Sequence, residues 1–199
     1  MIFKETEKIL FPKVRMNRSL RILIIVNSGM MFVLGMFAPF YALFVQKIMG
    51  GSAAIAGLSW GLFAITTGLL TLFFTRWKLN MKEPELLIAL GYVIRGVVFL
   101  SYAFMHDIAQ LLFTQLLWGL AAAIGTPAFD AVYSEHTDKD GALSEWGKWE
   151  GVSSVTAGFA AITGGFLIQN FGYQTIFVIM AISSFFLAGY VWRLPREVL

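Results

Sequence analysis

Long apolar runs separated by short polar breaks make up almost the whole chain. Six runs stand out: 22–46, 52–75, 85–105, 108–133, 149–169 and 173–192. Each matches the roughly 20 helical residues that cross a hydrocarbon core about 30 Å thick. None alternates apolar and polar positions as the roughly ten-residue strands of a membrane barrel do. Backbone groups in lipid must be paired within their own segment, so each run is expected to be a helix. The breaks carry matching signals. Gly50 and Gly51, and residues 170–172, read as tight turns. Pro84 suits the first turn of the third helix, where its missing N–H costs nothing, and Asp107 can cap the fourth. The expected fold is all-α and polytopic. It has a basic segment at 1–21, a six-helix transmembrane domain at 22–193 and a short tail at 194–199.

Composition agrees with this pattern. Apolar types form 58% of the chain and charged types 14%, against about 25% charged in a soluble domain. Lipid can cover that excess, and a soluble core of 199 residues cannot. The first apolar run starts only after about twenty residues and exceeds a signal-peptide core, so no cleaved leader is expected.

The charges add a direction. Lys4, Lys8, Lys13, Arg15, Arg18, Arg21, Arg76, Lys78, Lys82, Lys139, Lys148, Arg193 and Arg196 all fall on one side of the expected spans. Only Lys47 falls on the other, and Arg95 lies inside a span. Basic residues favour the cytoplasmic side, so both termini are expected in the cytoplasm, with the chain in a cell (plasma or inner) membrane. The N-terminal segment also holds Phe3, Ile9, Leu10 and Phe11. An amphipathic stretch lying on anionic lipid and a solvated tail are both open for it. The acidic segment 135–150, with Trp146 and Trp149, is expected at the same interface.

Several chemistries are excluded. Nucleic acid is not an expected partner, because the basic residues line membrane borders rather than one soluble face. The absence of cysteine removes disulfides, thiol catalysis and zinc–thiolate sites. Both histidines, His106 and His136, stand at span borders, and Asp130 is the one acidic residue well inside a span. No serine–histidine or paired-aspartate intramembrane protease is compatible with that. No enzyme activity, metal or cofactor is expected.

A weak echo runs through the chain at a three-span spacing. Ala38-Pro39-Phe40-Tyr41-Ala42 is answered by Thr126-Pro127-Ala128-Phe129-Asp130-Ala131. Phe63-Ala64-Ile65-Thr66-Thr67-Gly68 is answered by Ala160-Ala161-Ile162-Thr163-Gly164-Gly165. An odd number of spans per copy would invert the second copy, the arrangement common in secondary transporters. Chance among glycine- and alanine-rich helices is the competing explanation.

Read in order, these motifs resemble one six-helix half of a major facilitator superfamily transporter. The resemblance is carried by Asn27, Gly35 and Pro39-Phe40-Tyr41 in the first span and Gly57-Leu58-Ser59-Trp60-Gly61 in the second. Gln115, Gly119, Gly125 and Pro127 carry it in the fourth. Gly147, Gly151, Gly158 and Gly164-Gly165, followed by Phe171-Gly172-Tyr173 and Phe177, carry it in the fifth and sixth. The chain departs from the family in two places. The family's glycine–aspartate–arginine–glycine loop is replaced by Thr75-Arg76-Trp77-Lys78-Leu79-Asn80, and Ile162-Thr163 stand where its fifth-helix motif has proline.

The resemblance implies a half bundle of two inverted three-helix repeats. It would move a small solute by alternating access and pair as a homodimer or with another six-helix half. Two other readings stand beside it: a non-transporting subunit or scaffold of transporter ancestry, and a fragment of a twelve-helix transporter. It also implies that the first, second, fourth and fifth helices face a central cavity. Asn27, Thr66, Thr67, Gln115 and Trp118 are then candidates for lining it, with interhelical hydrogen bonding as the structural alternative.

The residues themselves suggest two further groups. Arg95, about 15 Å into its span, and Asp130 form a candidate charge pair. An Arg at that depth costs about 2.5–3.5 kcal/mol or more without compensation; snorkelling to the headgroups is the alternative. Pro39, Gly57, Gly61, Pro127, Gly151, Gly158, Gly164 and Gly165 are candidates for helix packing or gating. The topology is testable directly. A reporter fused at the C-terminus is expected to read as cytoplasmic, and an external signal would reverse the orientation.

Overall fold

The computed structural model describes residues 17–47, 50–76, 83–138 and 141–194. The basic segment up to residue 16, the loop at 77–82 and the tail from 195 lie outside the described residues. Every regular element described is helical. α1 spans Arg18–Gly35 and α2 Tyr41–Lys47, with a 3₁₀ turn at Ala38–Phe40 between them. α3 spans Ala53–Arg76, α4 Pro84–Phe104, α5 Ile108–Glu135 and α6 Ala142–Arg193. Taking α1 and α2 as one unit, five helical elements are long and apolar enough to cross a membrane.

Local chemistry explains the ends. The Asn17 side chain accepts from the Ser19 amide at the start of α1. Pro84 opens α4, and Asp107 accepts from the Gln110 amide at 2.7 Å to open α5. Gly50 takes φ 63°, the left-handed region in which glycine meets no Cβ penalty.

The first apolar run is not one continuous helix. α1 stops at Gly35, four residues before Pro39. A proline ring clashes with the carbonyl four residues back and offers no N–H. Pro127 has the same chemistry, yet it sits inside a continuous α5. The two echoed prolines therefore have different local structures. The fifth apolar run also starts earlier than its hydropathy indicates. α6 is helical from Ala142, so Trp146 and Trp149 are helix residues rather than part of a linker.

At 52 residues, an unbroken α6 would be about 78 Å long. It is interrupted at Gly172, where φ is 78° and ψ 174°. The packing of the two segments against α1 shows what that break does. Ser153 bonds Asn27, Gly35 meets Ala157 and Ala160, and Gly165 meets Phe40. Beyond the break, Tyr173 stacks near Phe44, with ring centres 5.3 Å apart. Phe177 lies 4.7 Å from Phe37, and Leu187 covers Gly29. The first segment climbs α1 and the second descends it.

Backbones touch at small residues. A Cβ on Gly91 would lie 2.9 Å from the Gly125 Cα, where α4 crosses α5. One on Gly119 would lie 2.8 Å from Thr66 on α3. One on Gly164 would collide with the backbone of Met36. Aromatic rings fill the space between: Phe37 makes edge contacts with Tyr41, Phe44 and Phe177.

Gly164→Ala is therefore expected to lower the thermal midpoint in detergent, by an amount worth about 1–3 kcal/mol. Gly158→Ala is expected to leave the midpoint of the single bundle unchanged, because nothing in the chain lies within 4 Å of its added methyl. Equal midpoints for the two variants would contradict the packing at Met36.

Candidate functional site

Two groups of buried polar residues emerge, at opposite ends of the bundle. Gln115 of α5 is fully buried. Its Nε2 donates to the Tyr41 hydroxyl at 2.7 Å and to the Tyr102 hydroxyl at 2.8 Å. The Tyr41 hydroxyl also shares a hydrogen bond with the Ser59 hydroxyl. The network joins α2, α3, α4 and α5. Trp118 packs beside it, 5.4 Å from Phe63, 5.9 Å from Phe99 and 5.9 Å from Tyr102. Thr67 donates to the Phe63 carbonyl of its own helix and, at 3.4 Å, to the Gly119 carbonyl of α5. Thr66 meets Gly119 at the same crossing. These four expected cavity residues sit at helix contacts.

Asn27 belongs to the other group. It is buried and its Nδ2 donates to Ser153 Oγ at 3.2 Å. It borders a cavity of about 350 Å³ between α1, α4, α5 and α6. Helical spacing aims the walls inward. Tyr92 and Arg95 are three apart on α4, Thr126 and Asp130 four apart on α5, and Trp149, Ser153 and Ala157 four apart on α6. Met31, Gly125, Phe129, Glu150 and Ser154 complete the lining.

Arg95 is 8% exposed. Its Nη2 donates to Thr126 Oγ1 at 3.4 Å, and its guanidinium lies 5.7 Å from the Tyr92 ring centre. Its Nε finds no partner, and neither does the Trp149 Nε1 on the opposite wall. The expected Arg95–Asp130 pair shares the cavity, but no hydrogen bond or ion pair joins the two among the described residues. Tyr92 and Ser153 had no signal of their own in the sequence, and Trp149 was expected only at the membrane interface. Tyr92 alone was reachable, as the helical neighbour of Arg95.

A larger cavity, about 620 Å³, lies between α3, α4 and α5. Its walls include Phe74, Leu87, Leu90, Ile124 and Pro127, with Glu135 at one edge. Its polar groups are Thr71, Thr75 and Glu135, and the rest of its wall is apolar.

The candidate packing glycines divide sharply. Gly164 and Gly165 press on Met36 and Phe40. Gly57, Gly61, Gly151 and Gly158 meet nothing within 4 Å of an added Cβ, as do Gly68 and Gly147. α3 buries only Ala56 and Ser59. Ser154, on the cavity rim, lies between Gly151 and Gly158 at helical spacing. The cavity therefore opens beside the outward glycine stripe of α6.

Residues 23–198 match the sequence profile of the Major Facilitator Superfamily. The chain belongs to that superfamily. Its members are transporters rather than enzymes, and the chain is an integral membrane protein. The relatives it matches differ in length. It is 28% identical over 160 residues to the uncharacterized MFS-type transporter YitZ of Bacillus subtilis, covering 80% of this chain and 96% of that protein. It is 32% identical over 97 residues to the methyl viologen resistance protein SmvA of Salmonella typhimurium, covering 47% of this chain and 19% of that protein. No solved structure matches.

The Gln115 network has a measurable weight. In-membrane hydrogen bonds average about 0.6 kcal/mol. Gln115→Leu removes two and is expected to cost about 1 kcal/mol, read as a lower midpoint of thermal unfolding. An unchanged midpoint would show that the tyrosine hydroxyls do not depend on Gln115.

Proposed function

We propose that this chain is half of a secondary transporter, completed by a second six-helix bundle and moving a small solute by alternating access. The opposed segments of α6 on either side of Gly172 support counting them as two crossings. With α1–α2, α3, α4 and α5 they make six, enough for one half of a superfamily body. The second bundle is another copy of this chain, related by a two-fold axis along the membrane normal, the commonest closed symmetry.

One observation carries this reading. α3 turns Gly57, Gly61 and Gly68 outward, and the first segment of α6 turns Gly147, Gly151 and Gly158 outward, with open space over each. Lipid tails gain nothing from a glycine, whereas a facing helix gains close backbone approach. A surface so built fits another helix pair, and the cavity of Asn27 and Arg95 opens beside it. Rocking of one bundle against the other across this smooth face would then expose the cavity to each side in turn. The near-complete coverage of YitZ supports a unit of this size.

A second reading is favoured by the short coverage of SmvA. There the other half would be a different chain, or further sequence joined to this one. Both readings place a bundle on the same face and differ in its identity.

Native mass measurement of the purified chain in lipid nanodiscs is expected to give a dimer. The chain has no cysteine, so Gly158→Cys introduces a unique thiol, expected to cross-link two copies. Gly158→Leu is expected to abolish the dimer while leaving the monomer folded. A uniform monomer with no cross-link would refute the homodimer.

A further inference from the structure

Arg95 and Trp149 both line one cavity, and each also holds an unpartnered N–H buried behind its surface. Both groups are donors only, so neither can satisfy the other. Arg95 has five N–H donors, and its described hydrogen bonding is one long contact to a neutral hydroxyl. A buried guanidinium in a membrane ordinarily pairs with an anion or opens onto water. Two acids line the same cavity, Asp130 and Glu150, and neither is bonded to Arg95 among the described residues.

Position explains why the two charges stand apart. Arg95 reaches Thr126, and Asp130 is four residues further along α5, about 6 Å by helical rise. No bond joins the two charges among the described residues, and a ligand carrying both an anion and a cation would satisfy each. A cavity of about 350 Å³ has room for such a molecule. Met31, Phe129 and Ala157 give the rest of the wall an apolar character.

We propose that this cavity binds a small zwitterion of the α-amino acid type with an apolar side chain. Its carboxylate pairs with the Arg95 guanidinium that lines the cavity. Its ammonium lies against Asp130, and its side chain rests on the apolar wall. The assignment rests on the transporter reading, in that the bound zwitterion is the transported solute.

Binding can be read without transport, because Trp149 lines the site. The full chain in nanodiscs is titrated with L-leucine while tryptophan fluorescence is followed. Two analogues are titrated in parallel: 4-methylpentanoate, which lacks the ammonium, and 3-methylbutylamine, which lacks the carboxylate. Leucine is expected to give a saturable change and each analogue a dissociation constant at least about tenfold higher, as for loss of one charge-assisted hydrogen-bonded group. Arg95→Gln and Asp130→Asn are each expected to weaken leucine by about ten- to a hundredfold. Asp130→Asn keeps the test decisive should the Arg95 variant fail to fold.

No saturable leucine signal, or an analogue binding as well as leucine, would overturn the proposal. So would Asp130→Asn binding leucine unchanged. Mass measured on the same sample separates the two readings. A dimer that ignores leucine defeats the zwitterion site alone, and a monomer that binds leucine defeats the two-bundle transporter alone.

Discussion

Lipid offers apolar side chains no advantage for leaving it, so this bundle is held where backbones come close enough to touch. That constraint explains its most crowded points. α4 and α5 cross with Gly91 against Gly125, α5 meets α3 at Gly119, and α6 reaches the broken end of α1 at Gly164. At each, a single methyl would fall inside ordinary contact distance. The aromatic core around Phe37 fills what these approaches leave open. The Gln115 network then ties four helices through hydroxyls that would otherwise be unpaired in hydrocarbon.

The same chemistry of small residues has a second use on the outside. The glycines of α3 and Gly147, Gly151 and Gly158 of α6 meet nothing, although their small-residue pattern resembles that of the glycines packed inside. Small-residue spacing alone thus reports that a helix presents a smooth stripe, not what covers it. Whether the stripe is filled depends on which way the helix is turned, and that is a property of the whole bundle.

This division marks how far the sequence could be read. The membrane character, the helix ends at Asp107 and Pro84, and the turns at Gly50 and Gly172 were legible because each depends on a few adjacent residues. The break after Gly35 was half legible. Pro39 signalled it, but Pro127 carries the same signal and leaves its helix intact. The start of α6 at Ala142 was hidden by polar residues, since a helix leaving the hydrocarbon keeps its backbone bonds while losing its hydropathy. Arg95 could be singled out as an unusual charge, but not the cavity around it. Tyr92, Thr126, Trp149 and Ser153 come from three helices, and their convergence is not encoded in any local spacing. Gln115 and Trp118, singled out alongside Asn27, lie instead at the other end of the bundle, where polarity serves cohesion.

The turn at Gly172 has a consequence for how the protein is made. One residue joins two antiparallel helices, which leaves no slack for one to enter the bilayer and wait for the other. Residues 142–193 are thus suited to insert as a single hairpin. Their docking surface, α1, is by then already synthesised, and its gap at the broken end is there to receive Gly164. The last event of assembly is then a long-range one, coupling the final quarter of the chain to the first. Until the ribosome has finished that hairpin, α1 stands with its largest contact surface empty. The order of translation, rather than any contact within the finished bundle, sets how long that surface is open to the wrong partner.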